Sequence, residues 1–214
     1  MSPTPGMQGA PEGATSADVL RAVAHEIRQP LGTIESIAYY LGLVLPRENE
    51  KIHEQLARLL QLVEQSNWIL SSGLHLADPL LVSPEPLDVE ELITQAMSAR
   101  ASAGDPAVQL DLRGSLPQVR LDPGLGRALI VNLLTLFRQL STEAHPVRLR
   151  TSAAAKGVWI EISTAAPGFG SEAMLGPGSA LSIRSARRIA EAHGGSLSVE
   201  IDHASGIQLR MMLP

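Results

Sequence analysis

The chain has 214 residues, enough for one or two modest domains, and 44% of them are apolar, so it can bury a core. With only two each of Trp, Tyr and Phe, that core must be filled by Leu, Ile, Val and Ala, while a formal net charge of −5 without a basic cluster argues against a nucleic-acid surface. Cysteine is absent, which excludes disulfides and thiolate metal sites and fits a cytoplasmic protein; no apolar run approaches about 18 residues, so no membrane span is expected.

Residues 1–15, opening Met-Ser-Pro-Thr-Pro-Gly, are rich in Pro, Gly and small residues and read as a disordered lead-in without a secretion signal. Ser16 or Asp18 can cap a first helix that runs to about Leu45, before Pro46. With Leu20 at the first heptad position, its apolar columns are Leu20, Ile27, Ile34, Leu41 and Val23, Pro30, Ile37, Val44, flanked by Ala24, Leu31, Ala38 and Leu45. That is a coiled-coil-like seam. A charged turn, Arg47 to Lys51, leads to a second amphipathic helix with Ile52, Leu56, Leu59, Val63, Ser66 and Leu70 on one side, ending near Gly73 to Ala77. A single hairpin offers too little partner surface for two apolar seams. Two hairpins would make a four-helix bundle, so residues 16–77 are expected to form a homodimer.

The proline-rich stretch 78–87 reads as a linker, and the pattern after it is α/β. A helix is expected near Asp88 to Ala101, strands at Val108–Leu112 and Gln118–Leu121, and a helix over Pro123–Leu140. Strands at Val147–Ser152 and Val158–Ser163 frame a Lys156-Gly157 turn. A helix over Ser179–His193 ends at Gly194-Gly195, and strands at Ser196–Ile201 and Ile207–Leu213 close the chain. Helices gathered on one face of a mixed sheet is the coarse expectation. His53, His75, His145, His193 and His203 show no metal-ligand spacing, and His193 sits at a helix C-terminus, where the dipole favours a cation. Trp68 and Trp159 are expected to pack in the bundle and the sheet. Tyr39 and Tyr40 belong to an ordinary exposed helix face or to a docking surface.

The stretch that bears most on function is His25-Glu26-Ile27-Arg28-Gln29-Pro30-Leu31. His25 falls opposite the seam, on a face shared with Arg21, Arg28, Gly32, Glu35 and Tyr39. Neutral imidazole is a nucleophile, a carboxylate can accept its proton, and Arg21 and Arg28, about one turn to either side, are placed to steady a phosphoryl group. Pro30 removes a backbone donor and is expected to bend the helix. The segment Ala24 to Ile34 resembles the H-box of dimeric two-component histidine kinases: His-Glu, an apolar residue, a basic or polar residue, any residue, then Pro-Leu. The resemblance extends more weakly to the C-terminus, over roughly residues 16–214. It implies that His25 is a phospho-acceptor, that Glu26 assists its deprotonation, and that Gln29 stands where related kinases carry a residue positioning water for dephosphorylation of the partner. It also implies that residues 88–214 form an ATPase-like α/β sandwich of the gyrase–chaperone–kinase type.

The nucleotide boxes of that family can be checked position by position. Asn132 matches the first asparagine of the Asn-rich helix, but Leu136 replaces the one that holds magnesium, an ion that demands oxygen ligands. In the second box Thr164 replaces the aspartate that reads adenine, Ala166 replaces the first glycine, and Gly168 stands at the second. In the phosphate loop Gly178 is present, while Ala180 and Ser182 take the places of the next two glycines. The interval Ser171–Pro177 is too short for the usual lid, and no aspartate occurs between Ala144 and Gly178. The expectation is a domain that keeps the fold and has lost the nucleotide, so no cofactor is predicted; ATP and magnesium would enter only if the divergent site works. The leading reading is a phosphorelay protein whose His25 exchanges a phosphoryl group with the aspartate of a response-regulator receiver domain. The alternatives are an active sensor histidine kinase that phosphorylates His25 with ATP, and a non-catalytic pseudokinase scaffold that binds receivers. No sensor domain is read in the sequence, so a signal is expected to arrive through a partner.

Overall fold

A computed structural model describes residues 15–46, 48–98, 108–168 and 175–214. The chain divides into two compact units, Met1–Asp78 and Pro79–Pro214. The first is a helical hairpin of α1 (Ser16–Val44) and α2 (Glu50–Ala77). The cap of α1 is Thr15, one residue earlier than expected. Its hydroxyl accepts from the Asp18 amide at 3.2 Å while the Asp18 carboxylate accepts from the Thr15 amide at 2.9 Å. This reciprocal capping box outcompetes Ser16 because it satisfies donors at both ends. Arg47, in the expected turn, lies outside the described residues.

The hairpin buries a column that the sequence had placed at the flank of the seam. Ala24 and Ala38 on α1 are 0% and 3% exposed, and Val63, Trp68 and Ser72 are the buried residues of α2. Small side chains on α1 let the α2 backbone approach. The heptad columns remain in solvent: Val23, Ile27, Ile34, Ile37, Leu41 and Val44 are all exposed, Ile37 and Val44 by 54% each.

The second unit contains β1 (Glu85–Leu87), α3 (Val89–Ser98), β2 (Val108–Asp111), β3 (Val119–Leu121), α4 (Pro123–Leu140), β4 (Val147–Ala154), β5 (Gly157–Thr164), α5 (Pro177–Ala192), β6 (Ser196–Asp202) and β7 (Gly206–Leu213). The strand β1 falls within the stretch 78–87 read as a linker. It pairs antiparallel with β3 in a two-stranded sheet, an edge position that tolerates Pro86. The main sheet has the order β2-β4-β5-β7-β6, with β2 parallel to β4 and the other neighbours antiparallel. Alternation places Val147, Leu149, Val158, Ile160, Ile162, Leu209 and Met211 on one face, where Ile93, Leu129, Leu133, Phe137, Ile183 and Ile189 of the helices join them in one core.

The opposite face is polar. Arg150 bonds Asp111 at 2.8 Å, Arg210 bonds Glu161 at 2.7 Å, and the Arg210 guanidinium lies 4.9 Å over the Trp159 ring. Trp159 therefore sits on the outward face between the inward-pointing Val158 and Ile160, rather than in the core.

His193 corrects a further expectation. It is buried, with Nδ1 donating to the Ile189 carbonyl at 2.7 Å and Nε2 accepting from the Asp122 amide at 3.0 Å. A ring that accepts at one nitrogen is neutral, so its task is a bridge rather than a charge at the helix dipole. Asp122 in turn caps α4 through the Leu125 amide at 2.9 Å and takes the Ser83 amide at 3.1 Å. Gly194 then turns at φ +76, and a Cβ on Gly195 would strike the Met212 carbonyl, so His193-Gly194-Gly195 is fixed by one bridge, one left-handed turn and one close approach. Replacing His193 by Ala leaves the Asp122 amide and the Ile189 carbonyl unpaired. We expect a loss of about 2 kcal/mol or more, read as a lower midpoint in urea unfolding of the full chain.

Candidate functional site

His25 lies exposed on α1, one helical turn before Gln29. Residues four apart on a helix face each other, and the Gln29 Nε2 stands 3.2 Å from His25 Nε2. Glu26, the next residue, projects from a different part of the helix, so the ring's partner is the amide and not the adjoining carboxylate. Pro30 lies inside the continuous helix, and its missing N–H leaves the Glu26 carbonyl without its helical donor.

The two arginines expected beside His25 are drawn toward α2. Arg28 Nη2 donates to Ser71 Oγ at 3.0 Å, and Ser71 Oγ donates on to the Asn67 carbonyl at 2.9 Å. Arg21 forms a two-pronged bond to Asp78, at 2.9 and 2.8 Å, and also pairs with Asp18. The two carboxylates hold the Arg21 guanidinium more firmly charged than usual, with Asp78 the larger cause. His75, half-buried on α2, is pushed down, first by burial and then by the nearby Arg28 charge. Ser71 and Asp78 were not legible as site partners in the sequence, because contacts across 43 and 57 residues leave no local spacing signal.

The positions that match the nucleotide boxes all lie in the second unit. Leu136 is fully buried among the core residues of α4. Asn132, one turn earlier, is buried with its Nδ2 unpaired. Thr164 is buried and its hydroxyl donates to the His145 carbonyl at 2.8 Å, and Ala166 is 4% exposed. Gly168 has a left-handed φ of +105. The α5 helix begins at Pro177 after Gly176, so Gly178 and Ala180 lie inside its first turn and the Ala180 amide is already bonded to the Gly176 carbonyl. Ser182 is buried and donates to the Gly178 carbonyl at 2.6 Å. Of the short interval expected to lack a lid, residues 171–174 lie outside the described residues, and Leu175 packs against the core. Among the described residues no group of three or more His, Asp or Glu side chains could hold a metal ion. No helix among them is long and apolar enough to cross a membrane.

A helical hairpin followed by a mixed sheet covered on one face by helices is the fold of histidine kinases. The chain superposes on full-length ShkA, solved in complex with AMPPNP, with a TM-score of 0.64 at 23% identity, over 94% of this chain and 46% of that one. It also superposes on the Acinetobacter baumannii histidine kinase AdeS with a TM-score of 0.57 at 16% identity, over 88% of this chain and 96% of that one. In sequence it is 26% identical over 206 residues to the sensor histidine kinase ZraS of Escherichia coli O157:H7, covering 90% of this chain and 44% of the relative. It is 27% identical over 129 residues to the sensor protein kinase PilS of Pseudomonas aeruginosa, covering 58% of this chain and 23% of the relative. No family profile matches. The chain thus spans less than half the length of these curated relatives. Homologous sensor kinases and shared fold together support the two-component histidine kinase family for this chain.

Capping of α1 has a definite pH signature. The bonds from Thr15, hydroxyl first and amide second, and then Arg21 hold Asp18 down from 3.8 to about 2. A carboxylate depressed in the folded state stabilises it above the ordinary pKa and loses that contribution as pH falls through the folded one. We expect amide-exchange protection of the first turn of α1 to be constant above pH 3.8 and to fall on acidification toward about 2. The loss should be smaller in Thr15→Ala, where the main cause is gone.

Proposed function

We propose that this chain is a phosphorelay protein of the histidine kinase family, with His25 exchanging a phosphoryl group with the aspartate of a response-regulator receiver domain. The observation that carries this reading is Leu136. At the position matching the family's magnesium ligand there is a hydrocarbon side chain, 0% exposed and locked in the core. Thr164 and Ser182 agree with it: Ser182 gives its hydroxyl hydrogen to the Gly178 carbonyl, and Thr164 is 2% exposed and lacks a carboxylate's charge. Transfer from a receiver needs no nucleotide in this chain. The imidazole lone pair attacks phosphorus, the bond from phosphorus to the aspartyl oxygen breaks, and the carboxylate leaves with the electron pair. The metal that neutralises the phosphoryl oxygens would belong to the partner. Arg21 and Arg28, tied to Asp78 and Ser71, would have to release those bonds to assist, so their role here is to brace α1 against α2.

A second reading, ATP-dependent autophosphorylation, is favoured by Asn132, whose buried amide keeps an unpaired Nδ2 at the family's first asparagine, and by the likeness to a kinase solved with AMPPNP. Both readings use a homodimer. The exposed columns of α1 would meet those of a second copy in a four-helix bundle, with the cytoplasm, where receivers are reached, as the compartment.

Labelled ATP with magnesium and a receiver labelled on its aspartate separate the readings. We expect no incorporation from ATP, and acid-labile label from the receiver that disappears in His25→Ala. Label from ATP would make the chain a kinase; silence in both arms would leave a receiver-binding scaffold. Ile34→Glu, which puts a charge into the exposed column, should convert the dimer to a monomer in light scattering while leaving α-helical content nearly unchanged.

A further inference from the structure

The outward face of the five-stranded sheet carries two neighbouring rows of side chains whose charges are met differently. One row runs Asp111, Arg150, Glu161, Arg210 from β2 to β7. There each cation has its carboxylate, Arg150 on Asp111 and Arg210 on Glu161. The next row runs Gln109, Arg148, Ser163, Gln208, Glu200 across all five strands. It holds one cation and one anion, three strands apart, which is roughly 14 Å between backbones at the usual strand spacing. Arg148 leans away from Glu200, its Nε donating to Gln109 Oε1 at 3.2 Å. Among the described residues neither Arg148 nor Glu200 has an ion-pair partner, and the Ser163 hydroxyl and Gln208 amide between them make no hydrogen bond.

Arg148, Ser163, Gln208 and Glu200 line one cavity of about 460 Å³. Local bonds fix its walls. On one side the Thr142–His145 turn is closed by two backbone bonds, at 3.2 and 3.0 Å, and the His145 carbonyl also accepts from Thr164. On the other, Asp202 accepts from the Ala204 and Ser205 amides at 2.8 Å each and so holds the turn between β6 and β7. A preformed polar hollow with a guanidinium at one end and a carboxylate at the other complements a ligand of the reverse polarity. We propose that this cavity binds a short zwitterionic ligand of the peptide class. Its carboxylate sits on the Nη groups of Arg148, its ammonium on Glu200, and Ser163 and Gln208 bond the amides between.

Length and charge decide the class. A single amino acid holds its two charges too close together to touch both ends, whereas three extended residues span about 10 Å and the two side chains complete the distance. The guanidinium fork takes a carboxylate through two parallel bonds. A simple anion would leave Glu200 unanswered, and a simple cation would leave Arg148 so. The cavity opens on the face of the sheet away from α4 and α5, which carry Asn132, Leu136 and Ser182. It is therefore a different site from the one those residues mark, and its occupation is independent of what His25 does.

The test titrates triglycine into the full chain, labelled with nitrogen-15, and follows the amide resonances. We expect shifts concentrated at the Ser163 and Gln208 backbone amides and the Gln208 side-chain amide. Acetylating the peptide's amine, or amidating its carboxylate, should weaken binding about tenfold, the cost of one charge-assisted bond. The variants then identify the ends. In Glu200→Gln the acetylated and free peptides should bind alike, and in Arg148→Gln the amidated and free peptides should bind alike. Both side chains are exposed, so circular dichroism of either variant should match wild type. No shift with triglycine, or shifts that ignore both variants, would overturn the proposal. So would inorganic phosphate moving the same amides as strongly as triglycine with Glu200→Gln indifferent, since the hollow would then be an anion site alone.

Discussion

Two helices cannot bury two apolar seams, and the hairpin answers that constraint by choosing one of them. It packs on Ala24 and Ala38, whose small side chains allow close approach to α2, and leaves Val23, Ile27, Ile34, Ile37, Leu41 and Val44 in water. Full burial of such a side chain is worth about 1.5–3 kcal/mol, so an unpartnered column of them is a standing drive toward association. The same choice fixes where His25 lies. With one flank of α1 turned to α2 and the heptad columns exposed, the strip bearing Arg21, His25, Gln29 and Gly32 is left accessible.

Much of this was legible in the sequence, for identifiable reasons. The 3.6-residue period of α4 reads directly from its apolar residues, and Asp122-Pro123 marks its start, so the expected and observed helix coincide at Pro123–Leu140. The strands β4, β5 and β7 alternate cleanly because one face is covered and the other is polar, and each is recognised within a residue or two. What failed to show were features set by partners distant in sequence. Three residues around Pro86 carry no strand pattern; β3 makes them a strand. His193 looked like a dipole-stabilising cation because the Asp122 amide that claims its Nε2 is 71 residues away. Which of two flanking α1 columns packs intramolecularly is likewise decided by the shape of α2, not by the heptad itself.

At the candidate site the division is similar. The contact of His25 with Gln29 is a four-residue helical spacing, visible in the sequence as soon as the helix is granted. The departures in the nucleotide boxes were visible as residue types, but their physical meaning was not. Threonine in place of an acid is ambiguous while its hydroxyl is free to reach a ligand. In this fold that hydroxyl donates its hydrogen to the His145 carbonyl, and the residue is 2% exposed. Serine in place of glycine might have offered phosphate a donor, yet Ser182 donates back to the Gly178 carbonyl within its own helix. Both hydroxyls thus donate to backbone carbonyls, one across 19 residues and one within its own helix.

Asn132 is the exception to that pattern, and it sharpens the comparison between the two readings. A buried amide group with no acceptor costs free energy that a leucine in its place would not, and Leu136, one turn along the same helix, shows that apolar replacement at a box position is accepted by the core. A domain shaped by stability alone would have little use for the asparagine. A nucleotide could supply the acceptor Asn132 lacks, but it would still need a metal, and no oxygen donor occupies the Leu136 position. The unpaired Asn132 Nδ2 therefore marks a polar position that the core leaves unsatisfied, while the Leu136 position beside it offers no oxygen ligand. Under the phosphorelay reading proposed above, the imidazole of His25 carries the chemistry and the phosphoryl group comes from another molecule.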